Sequence, residues 1–325
     1  MDELTEFCIV LPSMISSAVF GLVLGLQSSG SFAKAWEYAK ARGSDALVVM
    51  VDGKVVYEVG DVDDKNQILA SGTKSFCGTA MACAVQDQVI SGWDEKLEVA
   101  IPEWKEDARG DITYGQLLGL NSGLDTKTSG GSFTAPPEAE ILAVKKKFDA
   151  GRRFEYGPMP FNVFSLALER KLKGEKIQDY LERRVLKPLG IDVSYARIND
   201  EGRVQIAGMG RCSPKDWVKL GELWRNNGKL NGKLLWDAKT FSEVSKNHGP
   251  GAQYGLSFWL SPEGSPRNGG GASGEFEGMF LAAGAGKQLN IVIPMENAVV
   301  VRTGRNQGVA GEFSGNELLR LIFKE

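Results

Sequence analysis

Histidine is nearly missing from this chain: its 325 residues contain one, His248. A Ser-His-Asp triad would have to use it. It sits in Asn247-His248-Gly249-Pro250 without a supporting motif, so that reading is set aside. Cysteine is also sparse. Cys8, Cys77, Cys83 and Cys212 form no CxxC pair, and with a single histidine they exclude a zinc site built from Cys and His. Cys77 and Cys83 fall in one helical pattern, where their separation corresponds to about 9 Å of rise and about 240° of rotation. A disulfide between them would break that helix. Basic charge is not in excess, since 38 Lys and Arg face 41 Asp and Glu. No basic stripe exists for nucleic acid to bind, and Lys145-Lys146-Lys147 reads as a solvated face. Gly269, Gly271 and Gly274 formally spell GxGxxG, but outside any βαβ unit. Gly286-Lys287 is followed by Gln288 rather than Ser or Thr, which removes a phosphate loop. No metal or cofactor is expected.

What remains is an ordinary globular composition, 42% apolar and 24% charged, long enough for one large domain with an inserted lobe. Residues 7–26 are apolar and free of charge, long enough for an export signal or a membrane anchor. Asp2, Glu3 and Glu6 stand where a signal carries basic residues, and Pro12 with Ser13, Ser16 and Ser17 weakens a membrane span. Export or anchoring of residues 1–30 is favoured over a buried extension on a cytoplasmic protein. Membrane association is expected only through residues 7–26.

Residues 32–42 read as an amphipathic helix with Phe32, Ala35, Trp36 and Ala39 on one face. Residues 46–51 and 54–59 are β-rich and flank Asp52-Gly53, a strong signal for a tight hairpin. Further strands are expected at 256–260, 279–283, 289–293 and 298–302, and a closing helix at 317–323. Between the strand-rich ends, helical patterns dominate, as at 163–172, 177–186 and 216–224. The expected fold is of the α+β type. Segments 44–60 and 253–325 build one antiparallel sheet flanked by helices, and residues of about 71–250 form an inserted, mainly helical lobe. Residues 31–325 then make a single catalytic domain with a cleft where sheet and lobe meet.

The chemistry-bearing candidate is Leu69-Ala70-Ser71-Gly72-Thr73-Lys74. Three-residue spacing puts Ser71 and Lys74 on one face of a first helical turn. A desolvated lysine with a lowered pKa can take the serine proton without histidine, and the helix N-terminus offers N–H groups to a developing oxyanion. SxxK alone is a weak pattern, for which a capping serine and a surface lysine are the ordinary reading. Two segments strengthen it: Ile112-Thr113-Tyr114-Gly115-Gln116-Leu117-Leu118-Gly119-Leu120-Asn121-Ser122-Gly123-Leu124, then Gly151-Arg152-Arg153-Phe154-Glu155-Tyr156.

With these three motifs in order, the sequence resembles the serine β-lactamase and penicillin-binding-protein superfamily. The likeness is to its branch of class C β-lactamases, D-alanyl-D-alanine peptidases and esterases, over about residues 46–302. The resemblance implies Ser71 as acylated nucleophile, Lys74 as its base and Tyr156 as shared acid/base, with the segment from Ile112 to Leu124 as scaffold. Tyr156 read without the family would be a core aromatic. Two departures matter. Pro158 replaces the asparagine of the family's Y-x-N, with Asn162 the nearest alternative. Ala282-Ala283-Gly284 aligns with the third motif, K-T-G or H-x-G, without its cation. The resemblance then implies an oxyanion hole from the backbone N–H of Ser71 and Ala285. Gly284, Lys287 and Arg302 are substrate-binding candidates, with Arg305 a further possible cation. The expected activity is an esterase-like serine hydrolase forming an acyl-enzyme with a small ester, amide or peptide. Alternatives are a β-lactamase or D-alanyl-D-alanine peptidase and, in another class, a non-catalytic ligand- or cell-wall-binding protein. Substrate selection is expected in loops 126–137 and 261–278, and the oligomeric state is left open.

Overall fold

The computed structural model describes residues 30–131, 133–250, 254–260, 275–304 and 313–325. The apolar leader, Cys8, the three glycines of the GxGxxG pattern and Arg305 lie outside the described residues. Among the described residues no helix is long and apolar enough to cross a membrane.

Helix α1 (30–40) buries Phe32, Ala35 and Ala39, as its periodicity requires. It leads into β1 (Ala46–Val51) and β2 (Lys54–Gly60). Asp52 and Gly53 join them with φ of 49° and 74°, the left-handed pair that a type I′ turn demands. A short strand, β3 (Ile68–Ala70), follows, and β4 (Ser194–Tyr195) and β5 (Gly210–Arg211) complete a small sheet with it in the order β3-β5-β4. After the two-residue strands β6 (Lys229–Leu230) and β7 (Lys233–Leu234), the chain returns as β8 (Phe280–Gly284), β9 (Gln288–Ile293) and β10 (Ala298–Thr303). Strands from both ends of the chain form one five-stranded sheet, β2-β1-β10-β9-β8, with antiparallel pairing throughout.

Every residue of β1, β9 and β10 is buried, so both faces of these strands are covered, in keeping with their richness in Val, Ile and Leu; the polar residues Gln288, Asn290 and Arg302 among them are hydrogen-bonded. Helix α1 lies against β2, with the Phe32 and Tyr57 ring centroids 5.3 Å apart, and Tyr38 links it to Ser314, the cap of the closing helix, by hydrogen bonds of 3.3 and 2.8 Å. The expected strand at 256–260 is not continuous. Only Trp259 pairs there, with Tyr254 and with Leu281 on the open edge of β8.

The lobe begins with α2 (Ser75–Gln86), buried over most of its length. Around it lie α3 (Tyr114–Leu118), α4 (Glu138–Leu142), α5 (Met159–Lys171) and α6 (Ile177–Leu181). The run expected to be one helix to residue 186 opens into a π-helical turn at Glu182–Leu186 before α7 (Lys187–Leu189). Helix α8 (Pro214–Arg225) comes from the middle of the chain but packs on the sheet. It buries Trp217, Leu220 and Trp224, each contributing about 1.5–3 kcal/mol. Gly221 lets it approach, since a Cβ there would lie 2.3 Å from Asn290 Oδ1. Helix α9 (Ala238–Ser242) packs on α2, and α10 (Gly315–Phe323) ends the chain, burying Leu318, Leu319 and Ile322.

Candidate active site

Ser71 opens a 3-10 turn, Ser71–Lys74, that runs directly into α2. In 3-10 geometry the side chains at i and i+3 eclipse, and Lys74 Nζ donates to Ser71 Oγ at 2.9 Å. The turn is entered under strain: Ala70 has φ 47° and ψ −132°, a conformation that costs a non-glycine residue about 1–3 kcal/mol. Thr73 secures it. Its hydroxyl donates to Ala70 O at 2.7 Å and accepts from Gly210 N at 3.0 Å, tying the serine turn to β5. Gly72 is packed against the Trp217 ring, 3.0 Å from where a Cβ would stand.

Lys74 is only 2% exposed. Its ammonium also donates to the Ala207 carbonyl and lies 5.0 Å from the Tyr156 ring centroid and 5.6 Å from that of Phe161. Burial lowers its pKa from 10.5 to about 7, against a smaller upward pull from Cys77. The lysine therefore exists substantially as free amine at neutral pH, the form that can accept a proton.

Tyr156 reaches the same point from the segment before α5. The Ile112-to-Leu124 motif holds that segment: Gly151 N donates to Asn121 O at 2.8 Å and Glu155 N to Leu120 O at 2.9 Å. Thr113 and Gln116 form a reciprocal capping box on α3, at 3.2 and 3.1 Å. Tyr156 is 39% exposed as a whole residue, yet desolvation is the largest influence on its phenol. Burial pushes its pKa up to about 12, opposed by hydrogen bonding with Ser71 and Trp259. Its ring stacks on Trp259 with centroids 5.5 Å apart, and Tyr254 and Phe154 complete an aromatic wall. Serine, lysine and tyrosine converge, and the tyrosine does not point into the core.

The other sequence candidates are placed differently. Ala285 is in the exposed turn beyond β8, not on the strand. Leu281 spends its N–H and C=O on Trp259 at 2.9 and 3.0 Å, and period-two alternation makes Ala283 the next residue whose amide points off that open edge. Gly284 is a packing glycine: a Cβ there would meet Leu69 O at 2.1 Å, so only glycine lets β8 lie against the strand before Ser71. Lys287 occupies the turn with φ 58°.

Arg302 is fully buried rather than lining a cleft. Its guanidinium binds Ser44 Oγ and the carbonyls of Gly286, Lys287 and Arg42, and lies 4.5 Å from the Phe313 ring. Those bonds commit it to holding the β8–β9 turn. Asn162 is buried on α5, with Nδ2 donating to Pro158 O and Gln205 Oε1 at 2.9 Å each. Ala282 is 1% exposed within the sheet. His248 is removed from the serine, its ring bonded to Glu243 O. Among the described residues no group of His, Cys, Asp or Glu could hold a metal ion. Gln205, Ala207 and Trp259 were not singled out by sequence; the only signal for them was a polar residue inside the apolar run Val204-Gln205-Ile206-Ala207 and the aromatic spacing from Tyr254 to Trp259.

A family model described as Beta-lactamase matches residues 32–321. This chain belongs to the beta-lactamase family. Solved structures agree in fold. A provisionally named beta-lactamase from Bacteroides dorei superposes with a TM-score of 0.70 at 20% identity, covering 91% of this chain and 98% of that one. A penicillin-binding protein homolog from Caulobacter crescentus gives 0.68 at 16%, covering 90% and 96%. EstCE1, described as a hydrolase with promiscuous acyltransferase activity, gives 0.64 at 16%, covering 88% and 94%. No curated protein matches this beta-lactamase family member in sequence.

Proposed function

We propose that this family member is a serine hydrolase that works through an acyl-enzyme on an ester or amide, with esterase-like preference. The observation carrying it is the 2.9 Å contact between Ser71 Oγ and a buried lysine whose pKa is lowered to about 7. Lys74 takes the hydroxyl proton as Oγ bonds to the substrate carbonyl carbon, and the carbonyl electron pair moves onto oxygen. Backbone N–H groups of Ser71 and, in place of Ala285, Ala283 receive that oxyanion. As the tetrahedral intermediate collapses, the bond to the leaving group breaks and Tyr156 protonates it, regaining a proton from Lys74. Water then attacks the acyl-enzyme by the same route reversed and restores Ser71. The pKa values assign the roles: an amine near 7 is the base, and a phenol near 12 is the donor.

Two placements favour esters and simple amides over β-lactams and D-alanyl peptides. Asn162 is tied to Pro158 and Gln205, and Ala282, where the family's third-motif cation was aligned, is buried and uncharged. A non-catalytic binding protein has no use for a buried lysine aimed at a serine. Treatment with a fluorophosphonate and with a chromogenic short-chain ester should label and be turned over by wild type and not by Ser71→Ala. Equal reaction of both proteins, or of neither, would remove the proposal. Faster acylation by a chromogenic cephalosporin than by the ester would favour the β-lactamase reading instead.

A further inference from the structure

Lys74 owes its position to a residue that touches neither serine nor tyrosine. Gln205 is 2% exposed, and its side-chain amide is fully used. Oε1 accepts from Asn162 Nδ2 at 2.9 Å and from Ala207 N at 3.2 Å. Nε2 donates to Gly131 O and Thr134 O, both at 3.0 Å. The backbone partners fix which end is which: Ala207 N–H can only donate, and the two carbonyls can only accept. Gln205 also holds the next peptide, since Gly208 N donates to its main-chain oxygen at 3.1 Å. Both peptide units flanking the Ala207 α-carbon are therefore pinned by one residue, and the carbonyl of the second, Ala207 O, receives the Lys74 ammonium.

The opposite end of the same amide fastens the loop before α4. Thr128 closes that loop on Gly131 O at 2.7 Å, and Phe133 at its tip is 60% exposed. One side chain thus spans from a surface loop to the anchor of the base. The titratable groups facing Lys74 are Cys77, one turn along its own helix, and Tyr156 from the opposite segment. Burial raises the pKa of both, so each is neutral around pH 7. The polar partners left to the charged lysine are Ser71 Oγ and the Ala207 carbonyl, and the carbonyl is the one that Gln205 holds.

We propose that Gln205 is the positioning residue of this site, holding the Ala207 carbonyl on Lys74 and tying Gly131 and Thr134 to the same point. As a kinetic claim this rests on Lys74 being the base; as a structural claim it does not, and the experiment separates the two. Protein carrying [13Cε]lysine is titrated by NMR, with the Lys74 resonance identified by its loss in Lys74→Met. Gln205→Leu removes the acceptor for Ala207 N–H, so the ammonium loses its fixed partner, and the midpoint should fall by about one pH unit. Gln205→Glu keeps that acceptor and adds negative charge, so the midpoint should rise by a similar amount. In ester hydrolysis the acid limb of kcat/KM should move in the same two directions. The Gln205→Leu plateau should fall roughly 10- to 100-fold, and Gln205→Glu, which cannot donate to the loop, should show the larger rise in KM. A merely structural role would lower amplitude without moving the midpoint. Midpoints unchanged in both variants, or moving the same way, overturn the proposal. Should Gln205→Leu fail to fold, an unmoved midpoint in Gln205→Glu is sufficient to overturn it. Shifted NMR midpoints in a protein inert to esters would leave the positioning role standing and sink the hydrolase reading.

Discussion

Replacing Lys74 by methionine is expected to change how stability depends on pH. Folding lowers the lysine pKa from 10.5 to about 7, with burial the largest cause. Between those values the unfolded chain binds more protons than the folded one, so stability rises with pH. The native state is unpenalised above the unfolded pKa, loses stability as pH falls, and has lost the full amount below about 7. The interval of about 3.5 units corresponds to about 5 kcal/mol at 1.36 kcal/mol per unit. Roughly 2 of those units, or about 3 kcal/mol, accrue between about pH 5 and about pH 9. Methionine keeps the apolar stem but cannot titrate. Urea unfolding of both proteins across that range should show the wild type gaining about 3 kcal/mol on Lys74→Met, the variant being the more stable at the acid end. Groups common to both proteins cancel in the difference. A difference flat to within about 0.5 kcal/mol, or one that changes in the opposite sense, would refute the reasoning that burial sets the base.

Tyr156→Phe should lower kcat for a chromogenic ester by about 10²- to 10⁴-fold with KM little changed, since a general acid acts in the transition state; a loss below about threefold would remove Tyr156 from the proton path. Arg302→Met strips the donors from the carbonyls of Gly286, Lys287 and Arg42 and from Ser44 Oγ. It should cost about 3–5 kcal/mol in urea unfolding, whereas an exposed or substrate-binding arginine would cost almost nothing. Gly284→Ala places a methyl 2.1 Å from Leu69 O; we expect a loss of about 2 kcal/mol or more and slower fluorophosphonate labelling of Ser71, and unchanged labelling would show that β8 does not set the nucleophile's turn.

Much of the architecture was legible because it is written locally. Asp52-Gly53 is a strong local signal for a hairpin turn, and the β-rich runs at 46–51, 289–293 and 298–302 read as strands, which the structure extends to 288–293 and 298–303. The break at Glu182–Leu186 and the unpaired run near Trp259 were not legible, because a continuous apolar pattern does not distinguish α from π turns or a strand from a bulging edge. The passage of α8 from the middle of the chain onto the sheet is likewise decided by its fit to β9 and β10 around Gly221 and Asn290.

The site divides in the same way. Ser71 and Lys74 are one short turn apart, so their spacing puts them on one face of a helical turn, while the 2.9 Å contact of Nζ with Oγ also depends on the lysine being buried. The order of the three motifs pointed to Tyr156, although its approach from the far wall depends on Leu120 and Asn121 holding its segment. What the sequence could not supply were interactions spanning the fold. Lys74 meets Ala207, 133 positions away, and Gln205 reaches back 71 and 74 positions to the loop at Thr134 and Gly131. Arg302 looked like an available cation until the sheet closed over it, and Ala285 looked like a strand residue until the turn at 285–287 left Ala283 as the outward amide. Sequence by itself determined which groups could react. The tertiary structure decided which were desolvated, since burial and hydrogen-bond partners depend on segments far apart in the chain, and desolvation is what lowers the pKa of Lys74.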